Sequence, residues 1–197
     1  SKATAIGYGA MQYAKNTNTA YDNRNIAVGF EALRGSTTPA SNIGIGNTAI
    51  GFQSLLSNAG GHENIAIGME TLKNSVSGSF NTAVGNNSLL LNITGDWNTA
   101  IGFHTLYNNI NGDFNVSIGN VSLLGNTSGQ ANTAVGNATL RYNKTGNLNT
   151  ALGLGALEGN KAGNYAVAIG ANAMQYADST STTFDNTNIA IGYQALR

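Results

Sequence analysis

The sequence predicts an all-β fold, a parallel β-solenoid of about eleven coils, each 17 or 22 residues long, and three observations predict it. The first is a pentapeptide, Asn, then Thr, Ile or Val, then Ala, then Ile or Val, then Gly. With small departures it begins at Asn47, Asn64, Asn81, Asn98, Asn115, Asn132 and Asn149, and in degenerate form at Ala166, always 17 residues on. Further copies begin at Ala3, Asn25 and Asn188, each 22 residues from its neighbour. The second is that the fifth residue is Gly in all eleven copies and that Leu or Met follows four residues later in every one. The third is composition: 26 Gly and 30 Asn among 197 residues suit turns and short strands, and no stretch has the three-and-four spacing of apolar residues that a helix needs.

Each coil opens with a strand. In Asn98-Thr99-Ala100-Ile101-Gly102 the second and fourth residues point to one face and the third and fifth to the other, giving a branched row and a small row. The Asn column, for example Asn64, Asn81, Asn98 and Asn115, suits a ladder in which each side-chain amide donates to a carbonyl of the next coil. The Gly column, for example Gly68, Gly85, Gly102 and Gly119, marks a backbone position that needs positive φ or close approach, because a Cβ there would repeat one clash in every coil. The second half of a coil, such as Phe103-His104-Thr105-Leu106, predicts a second short strand. The run Asn108-Asn109-Ile110-Asn111-Gly112-Asp113 then predicts a turn, closed in each 17-residue coil by a second Gly. Two strands per coil imply two continuous parallel sheets with coils about 4.8 Å apart and a rod roughly 50 Å long.

A larger period lies above the coil. Residues 3–34 match residues 166–197 at 20 of 32 positions, an offset of 163. Residues 1–197 therefore read as a single repeat array, one 163-residue superperiod plus the start of the next. Together with a start at Ser1 that has neither Met nor a signal-peptide core, this predicts a fragment of a longer fibrous protein.

Composition excludes several functions. Nine basic and nine acidic residues leave no surplus charge for phosphates, which argues against nucleic acid. No apolar run approaches the ~20 residues of a membrane span, so insertion by this segment is not expected. Zero Cys rules out disulfides, thiol nucleophiles and Cys-based metal sites, and no phosphate loop or serine-hydrolase elbow occurs. No catalytic, cofactor-binding or metal-ligating residues are assigned and no cofactor is expected. His62 and His104 lie 42 residues apart, in different columns, and make no shared site. Asp96 and Asp113 are one coil apart, ~5 Å, a spacing that also occurs between the carboxylates of retaining glycosidases. Their column continues as Gln130, Asn147 and Asn164, which favours solvated turn caps.

The three 22-residue coils carry their extra residues between the Leu/Met column and the next Asn. Insertions of this kind in a solenoid map to loops on one edge, often the contact edge. Tyr13, Tyr21, Tyr176 and Phe184 in two of them are the candidate receptor-contact residues, as rings that stack on sugar or pack on protein.

The repeated Asn-Thr-Ala-Ile-Gly followed by Ala, Ser or Thr and then Leu resembles the YadA-like head repeats of trimeric autotransporter adhesins, and related repeats in tail fibres of bacteriophages and phage-like injection machines. The resemblance covers essentially the whole chain. It implies a left-handed β-roll assembled as a homotrimer on an extracellular structure, at a bacterial cell surface or on a virion or injection-machine tail. Its expected role is a structural and receptor-attachment segment binding a host-surface glycan or protein. The 17-residue coil, the Leu column and the superperiod depart from the shorter coil usual in adhesin heads and shift weight toward tail fibres. Unpaired apolar columns independently call for a partner chain, through Ile67, Val84, Ile101, Ile118 and Val135 or through Leu72, Leu89, Leu106, Leu123 and Leu140; alternation alone does not decide which. The alternatives are a polysaccharide-degrading enzyme like a tail spike, for which the acidic residues supply little of a cleft, and an ice-binding solenoid. The second rests on a Thr column, which Ile65, Val116 and Val167 interrupt.

Overall fold

A computed structural model describes residues 2–14, 22–38, 41–177 and 181–197. The architecture is an all-β parallel solenoid. The strands are β1 (Thr4–Ile6), β2 (Ile26–Val28), β3 (Thr48–Ile50), β4 (Ile65–Ile67), β5 (Thr82–Val84), β6 (Thr99–Ile101), β7 (Val116–Ile118), β8 (Thr133–Val135), β9 (Thr150–Leu152), β10 (Gly163–Asn164), β11 (Val167–Ile169), β12 (Phe184–Asp185) and β13 (Ile189–Ile191). Eleven of them, all but β10 and β12, form one parallel sheet in which each strand pairs with that of the next coil. Register keeps equivalent residues opposite one another, as in Ala83 against Ala100 and Ala100 against Ser117. A register slip would turn the small row outward, so the repeat length fixes the pairing.

The expected second continuous sheet is not formed. The one other strand pair among the described residues, β10 with β12 at the third 22-residue coil, lies in the column of Gly112 and Asp113, where a turn was expected. The physical reason is backbone handedness. Every described non-glycine residue with left-handed φ falls in one of three columns: that of His104 (φ 54°), that of Leu106 (φ 49°) and that of Trp97 (φ 58°). Two left-handed residues in alternation after each strand curl the chain out of the extended region while its N–H groups still point along the axis. Those donors are satisfied between coils: Asn87 N to Met69 O at 2.9 Å, Leu89 N to Thr105 O at 3.0 Å and Leu91 N to Tyr107 O at 3.0 Å. Inter-coil ladders therefore offset the cost of left-handed backbone, ~1–3 kcal/mol per residue.

That curl decides where the apolar columns go. Along the strand only the small row, Ala49, Ala66, Ala83, Ala100 and its equivalents from Ala27 to Ala190, points inward and is buried, while Ala5 at the open end is exposed. Past the Gly, two adjacent residues such as Thr105 and Leu106 both point inward, and Leu55 to Leu157 at every coil are fully buried against the Ala row. The Leu column is the core of the chain. The Ile/Val column faces out, with Ile101 39% exposed and Ile67 37%.

Candidate functional site

Two side-chain ladders hold the coils in place. Asn98 donates from Nδ2 to Asn81 Oδ1 at 3.1 Å and to Gly112 O at 2.8 Å, and its backbone N–H reaches the same Asn81 Oδ1 at 2.9 Å. The expected Asn ladder is thus present, and it joins side chains to one another as well as to carbonyls. A second ladder, not anticipated from the sequence, runs through Asn92, Asn109, Asn126, Asn143 and Asn160, with Asn109 Nδ2 2.8 Å from Asn92 Oδ1. Its signal was available in the same 17-residue recurrence of Asn. The two ladders meet at the closing Gly: Gly112 O accepts from Asn98 Nδ2 at 2.8 Å and from Asn109 Nδ2 at 2.9 Å. A Cβ on Gly112 would lie 2.4 Å from Gly129 O and 2.5 Å from Asn109 Oδ1, so close approach alone excludes a side chain there.

The column of Asp96 and Asp113 caps backbone. Asp96 Oδ1 accepts from Ser79 N at 2.7 Å, and Asp113 Oδ1 from Asp96 N at 2.8 Å. Asn147 does the same for Gln130 N at 2.8 Å, and His62 Nδ1 accepts from Ile45 N at 3.2 Å. His104 stands elsewhere, stacked on Phe103 at 3.8 Å between ring centroids. Among the described residues no group of three or more His, Cys, Asp or Glu is placed to hold a metal ion, and no helix is long and apolar enough to cross a membrane.

The charged side chains that do interact sit beside the left-handed columns. Glu31 accepts from Gln53 Nε2 at 2.7 Å and pairs with Arg34 at 2.8 Å, and these two contacts, the amide first, hold its carboxyl below the usual range. The Lys73 ammonium, 2.7 Å from Glu70, lowers that carboxyl in the same way.

The candidate contact residues do not converge. Tyr13 and Tyr176 are equivalent under the 163-residue offset but lie in the first coil and the tenth, at opposite ends of the roll. Tyr13 is half-buried, with its N–H on Arg34 O at 2.9 Å. Tyr176 is exposed, with the Arg197 guanidinium 5.5 Å from its ring centroid. Phe184 lies in β12, its ring over Gly163, where an added Cβ would come within 3.1 Å of it. Tyr21 lies outside the described residues.

Two surface features stand out instead. One is the outward face of the eleven-stranded sheet, where residues equivalent to Thr99, Ile101 and Phe103 carry no charge in any coil. Rings in these rows stack along the axis, Tyr8 on Phe30 and Phe30 on Phe52, each at 5.3 Å. Phe80 and Trp97 stack at 4.2 Å in the flanking column. The other is a cleft of about 200 Å³ lined by Tyr142, Glu158, Gly159, Gln175 and Tyr176, of which Tyr142 was not anticipated.

Fold and columns together define a parallel β-solenoid repeat protein. Comparison with protein-family models, with curated proteins and with solved structures finds no match.

Proposed function

We propose that the chain is a structural and receptor-attachment segment of a trimeric extracellular fibre, a surface adhesin or a phage-type tail fibre, wound as a left-handed roll. The observation that carries this reading is the uncharged outer face of the sheet. At ~4.8 Å per coil and ~3.3 Å per residue, eleven three-residue strands make a face of roughly 500 Å², to which the row of Phe103 just past the strands adds. That is the size of the largest patch on an ordinary monomer, ~300–600 Å², which is often a functional contact surface. A partner for this face must match its repeat along the full length, and another copy of the chain does so by construction. The Leu column, closed inside each chain, is then free of any role in assembly.

Attachment rather than catalysis is supported by how the carboxylates are used. Asp96 and Asp113 each hold a backbone N–H of the preceding coil, and neither lines the cleft of Tyr142 and Tyr176. Sedimentation equilibrium at micromolar concentration tests assembly: a mass three times the 20.2 kDa of one chain is expected, and a folded species of one chain's mass overturns it. Attachment is tested on the intact fibre with Tyr13, Tyr21, Tyr176 and Phe184 replaced by Ala. Reduced binding to the host surface is expected, and unchanged binding reduces these loops to spacers.

A further inference from the structure

We propose that the cleft between Tyr142 and Tyr176 binds one pyranose ring of a surface glycan, an inference that rests on the attachment reading and gives it a site. Tyr142 and Tyr176 occupy the same column, 34 residues apart, with Gly159 midway between them. The inter-coil bonds Tyr142 N to Glu158 O at 3.1 Å and Gly159 N to Gln175 O at 2.8 Å place the two tyrosines one coil to either side of Gly159. Along this column, which also contains Leu91, Asn108 and Gly125, no other Gly is flanked by two aromatics. The missing side chain opens a slot whose ends are rings 47% and 65% exposed. Arg197, from the coil beyond, covers Tyr176 on the side away from Gly159.

Dimensions and polarity favour a sugar over the aromatic side chain of a protein. Two coils separate the tyrosines by ~9.6 Å. A flat ring in van der Waals contact on both faces needs only ~7–8 Å, so the slot has the additional room that a puckered ring with hydrogens on both faces requires. The volume, about 200 Å³, suits a single ring; pockets for drug-sized ligands run ~300–1,000 Å³. Beside the slot runs a polar strip. Gln175 Nε2 donates to Glu158 Oε2 at 3.0 Å, and Arg141 Nη1 lies 3.7 Å from Glu158 Oε1. Arg141, whose guanidinium carbon is 5.2 Å from the Tyr142 ring centroid, and Gln175 stand two coils apart with Glu158 between them. Glu158 and Gln175 line the slot, and a pyranose hydroxyl both donates and accepts, so it can bond to the carboxylate and the amide there. A phenyl ring can bond to neither. The column of Tyr142 is not one of the three outward rows of the sheet face, those of Thr99, Ile101 and Phe103, so covering those rows does not itself cover the two tyrosines.

The test is saturation-transfer NMR on the assembled protein with the methyl glycosides of glucose, galactose, mannose and N-acetylglucosamine. A single ring of this size is expected to bind with a Kd of about a millimolar. Tyr142→Ala and Tyr176→Ala should each weaken binding about tenfold, and Tyr142→Phe, which keeps the stacking face, about twofold or less. Both tyrosines are exposed, so melting temperature and sedimentation should match the parent. The slot proposal is overturned if no glycoside shows saturation, if the Ala variants bind as well as the parent, or if phenol occupies the site while the glycosides do not. Attachment of the fibre to its host surface is read separately. Glycoside binding without attachment leaves the slot and removes the attachment reading, and attachment without glycoside binding does the reverse.

Discussion

Asn115 directs both its backbone N–H and its side-chain amide at one oxygen, Asn98 Oδ1, at 3.0 and 3.1 Å. Because Asn98 Nδ2 simultaneously donates to Asn81 Oδ1 of the preceding coil and to Gly112 O on the side of the next, each ladder asparagine accepts from the following coil and donates in both directions. Asn98→Asp preserves shape and acceptor but removes the donor, and at neutral pH sets a buried carboxylate against the two oxygens that Asn98 Nδ2 had satisfied. The expected loss is about 2–4 kcal/mol in chemical denaturation. Lowering the pH protonates the carboxyl and restores a donor, so the gap to the parent should narrow in acid. A gap that stays constant from neutral pH into acid would show that the donor function is not what the column supplies.

Ser75 marks the one interruption in the second ladder. It occupies the column of Asn58, Asn92 and Asn109, and its hydroxyl is buried without a partner. Gly78 O consequently receives only Asn64 Nδ2, at 2.7 Å, whereas Gly95 O receives both Asn81 and Asn92. Ser75→Asn fills the gap with a side chain that its neighbours already accommodate. It should raise stability by about 1 kcal/mol, seen as a higher melting temperature. No gain, or a loss, would mean that the coil around Ser75 differs from its neighbours in more than the missing amide.

The coil and its first ladder were legible in the sequence because stacking forces the same residue at every repeat, so Asn98 and Gly102 declare themselves by recurrence. The side on which Leu106 packs was not, since alternation counts residues in an extended strand and the chain after Gly102 is not extended. His104 at φ 54° and Trp97 at φ 58° carry no mark of left-handed backbone, because bulky residues rarely adopt it and only the inter-coil bonds hold them there. The Tyr142 slot becomes readable only when its column is known to face outward. One Gly between two tyrosines at twice the coil length is otherwise lost among 26 glycines.

Gly102 and Gly155 both have positive φ, 135° and 62°, but for different reasons. The first angle is closed to any residue with a Cβ, and a Cβ there would also lie 2.3 Å from Gly119 O, a backbone atom. The second is the left-handed angle that Asn172, Ala138 and Val121 adopt in the same column, and its nearest obstacle, at 2.6 Å, is the movable Asn172 side chain. Gly102→Val should therefore cost at least ~2 kcal/mol, and Gly155→Asn less than ~1 kcal/mol. Equal losses at the two positions would show that positive φ, not the approach of coils, is the common constraint.

Ile101 and Leu106 belong to one coil, five residues apart, and are sorted to opposite destinations: Ile101 is 39% exposed on the sheet face and Leu106 is 0% exposed in the core. Removing side chain from Leu106 leaves a cavity bounded by Leu89, Leu123 and the Ala row, so Leu106→Ala should cost about 2–5 kcal/mol while the assembled mass is kept. Ile101→Asp acts elsewhere. In a single chain the carboxylate projects into water and disturbs little, but in the proposed assembly it is buried once per chain against an uncharged face, with no cation in the three outward rows to receive it. Its expected effect is a fall in sedimenting mass toward that of one chain, with the β-sheet circular-dichroism signal retained. Paired measurement of melting temperature and mass separates the two: Leu106→Ala should move the first, Ile101→Asp the second. If Ile101→Asp leaves the mass unchanged and Leu106→Ala dissociates the protein, the columns have been assigned to the wrong roles and the sheet face has no part in assembly.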